Sequence, residues 1–456
     1  MNLASRSTAA KGIPVATVRP RWNAYLNRLI ANEISVITAY FDEVIQWLPR
    51  YGDSGYLLSL ISAKTRSTVA EGDVFPDLTS ESETRTAILL NGTLNHSFDI
   101  EEHLTTLKPR LSRTSRVVIV AYNPYLSGLY RLANFFGIRK GPQPTTFVTK
   151  TDLNNLSRLS GFEVVRSRPV GYVPLRLLGL GTLLNWILPA VPGLRALSLV
   201  SVITLRPQIP SAKRPSLTIV IPARNEKGNI ENALLRMPDL RCKTEIIFVE
   251  GHSSDGTWEE IQRVASAYSS KFKIQAIQQT GKGKGDAVRL GFARASGELL
   301  TILDADLTMP PELLGRFYEA YCRGLADFIN GTRLVYPMEG AAMRSLNHLG
   351  NVFFAKTLSA VLGNRLGDSL CGTKLLARHD YTRMVAWRKD FGDFDPFGDF
   401  ELLFPASVLA LGIVDIPIRY RARIYGTTNI SRFHDGLLLL RMTLIGLLRL
   451  KMGKIG

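Results

Sequence analysis

Cysteine is nearly absent from this chain, and acid is outnumbered. The three cysteines, Cys242, Cys322 and Cys371, stand far apart and form no CxxC pair. That spacing excludes a disulfide framework and fits a reducing compartment. A long apolar run is missing too. The longest uncharged stretch, Leu177 to Leu194, only reaches the lower length limit for a membrane span, and glycine, proline and Asn185 interrupt it. It reads as a buried or interfacial helical pair. The opening MNLASRSTAAKG has no apolar h-region, so no secretory signal is expected. No internal repeat stands out.

Acids are the scarcer charge: 39 Asp and Glu face 56 Lys and Arg, a net charge of +17. An excess of this size favours anionic partners such as phosphates, nucleic acid or an anionic membrane face. Residues 1–32 carry five bases and no acid, and from Ile416 onward there are eight bases and one acid, Asp435. That tail also holds the apolar run LLLL at 437–440. Base and apolar residue in one segment point to an anionic membrane surface, not nucleic acid. The plainer alternative is a solvated basic face beside a core helix. Within Phe433–Lys451, Leu437, Leu440, Leu444, Leu447 and Leu448 fit one helical face, a basic amphipathic helix too short to span.

With 456 residues, 45% hydrophobic and 21% charged, the chain has the composition of a folded protein of two or three domains. The clearest boundary is RPQIPSAKRPS, Arg206 to Ser216, with three prolines. The expected organisation is a basic segment at 1–35, an α/β domain at 36–206, a linker at 207–215, a second α/β domain at 216–432 and the basic helix at 433–456. In the first half, Trp22 to Leu48 shows helical spacing, Ala87–Leu90 and Val117–Val120 read as strands, and Asp99 with Glu102 reads as a capping box. After the linker, strands at Leu217–Ile221, Glu245–Val249, Ile274–Ile277 and Leu299–Leu303 alternate with helices. The alternation predicts parallel sheets of doubly wound type, with ligands beyond the carboxyl ends of the strands.

The most informative stretch is LLTILDADL. A buried strand ends, and Asp304 and Asp306 follow at i and i+2, on one face of extended backbone. Two such carboxylates suit Mg²⁺ or Mn²⁺, which can clamp a diphosphate. IPARNEKGNI, VEGHSSDGT and GKGKGDAVRLGF fall at the same sheet edge. Asn225, Glu226, Glu250 and Asp255 offer hydrogen bonds to a nucleoside, and Lys282 and Lys284 sit in a glycine-rich loop where phosphates can approach. Taken singly, each is ordinary loop chemistry. Asp399 and Glu401 in GDFELL form a second i, i+2 carboxylate pair. One of them is the candidate general base if the acceptor is a hydroxyl; a lipid phosphate needs none. The alternative is that both only position neighbours.

Residues 216–430 resemble family-2 glycosyltransferases of GT-A fold, on the branch of dolichyl- and polyprenyl-phosphate mannose or glucose synthases. The elements carrying the likeness are IPARNE, VEGHSSDGT, GKGKGDA, DADL, NGTR, GDSLCGTK, DPFGDFELL and RIYGTTNISR. The resemblance implies that Pro222, Asn225, Glu226, Glu250 and Asp255 contact the nucleoside. It implies that Arg224, Lys282, Asp286, Asp304, Arg333 and Arg423 complete the donor site, that Asp304 and Asp306 hold the metal, and that Lys374 and Asn429 face the acceptor. The departures are Arg224 in place of an aromatic residue, Glu250-Gly251-His252 in place of Asp-Asp-Gly, Thr308 in place of Gln, and Asn429 in place of Lys. The QxxRW signature is absent, which favours transfer of a single sugar. The first half, over about 70–206, resembles the later part of a class I S-adenosylmethionine-dependent methyltransferase through AEGDVF, AILLNGTLNHSFDIEEHL and VVIVAYNPY. Its cofactor loop would be RYGDSGYLL, yet a helical pattern precedes it and no acidic strand end follows. A degenerate, structural or lipid-docking domain is expected. The function implied is transfer of one hexose from a nucleotide sugar to a lipid-linked acceptor (lipid phosphate or glycolipid) by a peripheral enzyme at the cytoplasmic face of a membrane. The alternatives are a bifunctional glycosyltransferase and methyltransferase of cell-envelope glycan synthesis, a nucleotidyltransferase, and a decayed interaction protein.

Overall fold

The structure is a computed structural model, and it describes residues 24–79, 84–137, 142–191, 193–337, 345–391, 398–423, 425 and 432–452. Among these residues the chain forms two sheets, one in each half. The first half contributes β1 (Glu43–Trp47), β2 (Thr65–Val69), β3 (Thr86–Asn91), β4 (Arg116–Tyr122), β5 (Phe162–Val170) and β6 (Val200–Pro207). Its helices are α1 (Ala24–Thr38), α2 (Tyr56–Leu60), α3 (Ile100–Leu107), α4 (Ser127–Phe135), α5 (Lys150–Leu159) and α6 (Leu180–Ile187). The strand order is β2-β1-β3-β4-β6-β5, with β6 antiparallel to both neighbours. The AILL and VVIV runs are buried on both faces, as central strands must be. Asp99 opens α3 by accepting from Glu102 N at 2.8 Å.

Three expectations change here. The helical spacing from Trp22 to Leu48 breaks after Thr38. α1 starts inside the supposed basic segment and packs through Ile34 and Ile37, while Glu43–Trp47 is strand β1. A strand buried on both faces has no alternation, so periodicity alone does not separate it from a helix. The Leu177–Leu194 stretch is not buried: α6 buries Gly181 and Asn185, while Leu180 and Leu183 are exposed. Neither sheet is wholly parallel.

The second half contributes β7 (Leu217–Ala223), β8 (Thr244–Glu250), β9 (Lys273–Gln278), β10 (Leu299–Ile302), β11 (Phe328–Thr332), β12 (Lys374–Ala377) and β13 (Ile413–Pro417). Its helices are α7 (Lys227–Leu235), α8 (Thr257–Ala267), α9 (Lys284–Arg294), α10 (Leu314–Cys322), α11 (Ser345–Leu362), α12 (Arg378–Phe391), α13 (Phe400–Val408) and α14 (Arg432–Gly446). The order β13-β11-β12-β10-β7-β8-β9 places β8 and β9 on one side of β7 and β10 on the other. The loops leaving β7 and β10 therefore diverge and open a crevice at their carboxyl ends. Antiparallel β12 lies between β10 and β11, so its first residue, Lys374, starts at that same edge.

The halves meet through the amino ends of their sheets. Arg116, Arg206 and Arg113 approach the Asp327 carboxylate at 2.7, 3.2 and 3.6 Å. Burial pushes the Asp327 carboxyl up, but the arginines outweigh it and hold the group below the usual range. Arg116 also donates to Ala410 O at 2.8 Å, and Arg113 to Tyr321 O and Ala326 O at 2.9 and 2.8 Å. Both carboxyl edges point away from this contact, and a second one joins Arg168, near the carboxyl end of β5, to Lys451 O at 2.6 Å. α14 packs on α11 and the core through Leu439 and Met442 and exposes Leu437, Leu440 and Leu444, and Leu448 is exposed in the turn that follows it.

Candidate functional site

At the end of β7 the backbone turns through Asn225 in a left-handed conformation, φ 54°, which asparagine tolerates better than most residues. Asn225 N donates to Ser253 Oγ, and its Oδ1 accepts from Ser254 N, both at 2.9 Å. These bonds tie the loop after β7 to the loop after β8. Glu250, the last residue of β8, is buried and accepts from Ser253 N at 2.5 Å. Asp255 accepts from Thr257 N at 3.0 Å, Lys227 N at 3.2 Å and Tyr425 Oη at 3.1 Å. Burial pushes its carboxyl up, and these donors outweigh that and hold it down. Pro222 is half-buried at the crevice wall, and Arg224 and Lys282 are exposed.

Glu226 faces Asp306 across the crevice, and one arginine spans them. Arg423 Nη1 lies 2.8 Å from Glu226 Oε1, and its Nη2 lies 2.7 Å from Asp306 Oδ2. Burial raises the Glu226 carboxyl above its ordinary value, against the pull of Asn229 and Arg423. The other Asp306 oxygen accepts from Thr308 N and Oγ1 at 3.1 and 2.8 Å, so Thr308 orients Asp306. Asp304 Oδ1 pairs with Lys284 Nζ at 2.5 Å. Burial works against both charges, but Asp304 and Asp399 hold the Lys284 ammonium above its ordinary value, and Lys284 holds the Asp304 carboxyl below its own. Gly372 presses its backbone against this pair. A Cβ there would collide with Lys284 Nζ and Asp304 Oδ2.

The GDFELL pair does not act as a pair. Asp399 stands at the N-cap position of α13 without a side-chain capping bond, and Glu401 lies in the first turn, where i and i+2 point to different faces. Asp399 Oδ1 receives Lys374 Nζ at 2.5 Å, and this lysine is fully buried and also donates to Cys371 O. Glu401 turns away to Arg289 at 3.1 Å and Arg388 at 3.4 Å. Asp286 lies 3.7 Å from Arg289. Arg333 makes a bidentate pair with buried Asp368 at 2.6 and 2.9 Å and lies over the Tyr420 ring, yet its charge still acts on Asp304. The fold therefore gathers Glu226, Lys284, Asp304, Asp306, Lys374, Asp399 and Arg423, and sets Glu401 apart. Asn429 lies outside the described residues. Sequence reasoning quoted the GDSLCGTK motif but gave Asp368 and Gly372 no role; their signal was an acid and a glycine inside a motif already marked. Among the described residues no three His, Cys, Asp or Glu side chains gather as a metal cage.

Residues 218–384 match the family described as Glycosyl transferase family 2. Dolichol-phosphate mannosyltransferase of Pyrococcus furiosus is 36% identical over 122 residues, 26% of this chain and 33% of that protein. Dolichyl-phosphate hexose transferase of Haloferax volcanii is 28% identical over 48% of this chain and 89% of its own length. The chain thus spans about a third of the first relative's length and most of the second's. Among solved structures, glucosyl-3-phosphoglycerate synthase from Mycobacterium tuberculosis aligns over 51% of this chain and 80% of its own, at 18% identity and TM-score 0.37, too loosely to transfer any property.

Proposed function

We propose that this chain, with its glycosyl transferase family 2 segment, moves one hexose from a nucleotide diphosphate donor to a polyprenyl-phosphate acceptor at the cytoplasmic face of a membrane. The observation that carries the reading is the convergence of Glu226, Asp304, Asp306 and Arg423 on the crevice between β7 and β10. In this reading the domain is of GT-A type. Pro222, Arg224, Asn225, Glu226, Glu250 and Asp255 hold the nucleoside, with Lys282, Lys284, Asp286, Arg333 and Arg423 toward the diphosphate. Lys374 stands at the acceptor side.

Two adjacent carboxylates, joined among the described residues by no third His, Cys, Asp or Glu ligand, suit Mg²⁺ or Mn²⁺, which bind through one or two carboxylates plus substrate phosphates. Asp304 and Asp306 would hold such an ion, which would supply charge neutralisation for the departing diphosphate. Without ligand, Lys284 and Arg423 neutralise the two aspartates; with donor bound, the same cations face its phosphate oxygens. A phosphate oxygen of the acceptor forms a bond to the anomeric carbon. The bond from that carbon to the diphosphate oxygen breaks, and the electron pair leaves with the nucleoside diphosphate. That acceptor oxygen is anionic near neutral pH, with a second pKa of about 6, so no general base is required. This agrees with Asp399 and Glu401 being held in ion pairs.

For the first half we infer a methyltransferase-like unit without activity. β1 directly before Arg50–Leu58 supports the likeness. Inactivity is supported by the chain's own side chains at that edge: Arg50 bonds the Tyr122 hydroxyl, and Asp53 accepts from Gln46 and Asn91 at 2.9 and 2.8 Å. The test of function is incubation of the full chain with a panel of nucleotide sugars and polyprenyl phosphates. Mass spectrometry should find one hexose on the lipid phosphate and free nucleoside diphosphate. Release of inorganic diphosphate would instead identify a nucleotidyltransferase.

A further inference from the structure

The first half carries a surface that sugar transfer leaves unexplained. α4 buries none of its residues; Leu129 and Leu132 are about half exposed, and Phe135 and Phe136 project at 82% and 68%. Beside it, the crossover from β5 to β6 is built inside out. Buried Asn185 accepts from the Tyr172 and Val173 amides at 2.7 and 3.2 Å, while Leu180 and Leu183 face solvent. Just before α6, Leu177 and Leu178 both adopt left-handed backbone, φ 44° and 55°, a conformation costly for leucine. Both side chains point into solvent, Leu178 completely. The two segments adjoin: Asn123 donates to Ala196 O and Ser198 O at 2.6 Å each, and Tyr130 of α4 bonds Leu199 O.

Apolar faces of this extent are rarely left open to water. Charge identifies what covers this one. From His103 to Thr151, and again from Val164 to Asn225, the sequence holds no Asp or Glu. Arg131 and Arg176 are exposed within the face. Apolar side chains that enter an acyl boundary, with arginines at headgroup level and no acid to be repelled, fit an anionic bilayer. The turn that follows α14 adjoins the face: Arg168 donates to Lys451 O at 2.6 Å, and residues 447–451 meet 188–190. We propose that the α4 and 171–199 face docks the chain on an anionic lipid bilayer, which rests on the transferase reading only for the lipid nature of the acceptor.

The test uses the full chain with vesicles of phosphatidylcholine alone or mixed with phosphatidylglycerol. Wild type should float with the mixed vesicles and less so at high salt. The exposed-site variants Leu178→Glu/Leu183→Glu and Leu132→Glu/Phe135→Glu should each lower the partition at least about tenfold and leave calorimetric donor binding unchanged. Wild type that does not float, or variants that float as well as wild type, overturn the proposal. So does a wild-type dimer that these variants dissociate without any vesicle binding, since the face is then a self-contact. Transfer to a short, water-soluble prenyl phosphate should persist in the variants. If wild type floats but never performs that transfer, the transferase reading fails and the membrane face stands.

Discussion

Asp399→Asn separates a general base from an ion-pair partner. Lys374 Nζ is fully buried, 2.5 Å from Asp399 Oδ1, with Cys371 O as its other partner. Asparagine keeps the size and removes the charge, leaving an ammonium buried against two neutral oxygens. Breaking one side of a buried pair costs about 3–5 kcal/mol. At roughly 2–4 °C per kcal/mol for a unit of this size, the melting transition of the second half should fall by at least about 6 °C. Lys374→Met should cost a similar amount. The double variant should recover most of the loss, because two neutral side chains replace a satisfied pair. Calorimetry of the three variants reads the coupling, and the pH–rate profile of Asp399→Asn with a polyprenyl-phosphate acceptor reads the chemistry. The profile should keep the wild-type ionisations, with any lost rate recovered in part at lower temperature. If Asp399→Asn melts with wild type and loses rate about a hundredfold together with one ionisation, Asp399 is the base and the ion-pair argument is wrong.

Asp304→Asn with Asp306→Asn should abolish transfer without unfolding the chain, and EDTA should do the same to wild type; full activity in either case removes the metal from the mechanism. The full chain should show no S-adenosylmethionine binding by calorimetry, because Tyr122, Arg50 and Asp53 occupy one another at the edge after β1; micromolar binding would make the chain bifunctional. Lys451 is buried beside Arg195 and Arg168, and burial first, then those charges, bring it down to about 7. The penalty is complete below that pH and is relieved as pH rises toward the unfolded value of 10.5. Lys451→Met should therefore melt above wild type at pH 6, with a gap that narrows by pH 9; a constant gap refutes the assignment.

Much of this protein was legible before any coordinates. Apolar runs such as LTIVI and EIIFV state their strands because burial on both faces selects such residues. The acids and glycines at the ends of those strands marked the donor edge, since loops at that edge are where ligands bind. β1 was not legible, because a short strand buried on both faces carries no period of its own. The sequence spacing of Asp399 and Glu401 suggested a shared face, which is true of a strand; the helix they begin sends them to different cations. Other assignments depended on contacts between residues far apart in the chain. The pairing of Arg423 with both Glu226 and Asp306 joins positions 197 and 117 residues away, and no local pattern encodes it. The insertion of antiparallel β12 brings Lys374 and Gly372 to Asp304, and the arginines around Asp327 set the two halves base to base. The sequence by itself determined the central strands of both sheets and the loops that carry polar chemistry at their ends, because continuous apolar runs and the polar residues that close them are local features. Only the tertiary structure decided which charge neutralises which, because that depends on distances set by the order of strands in the sheet.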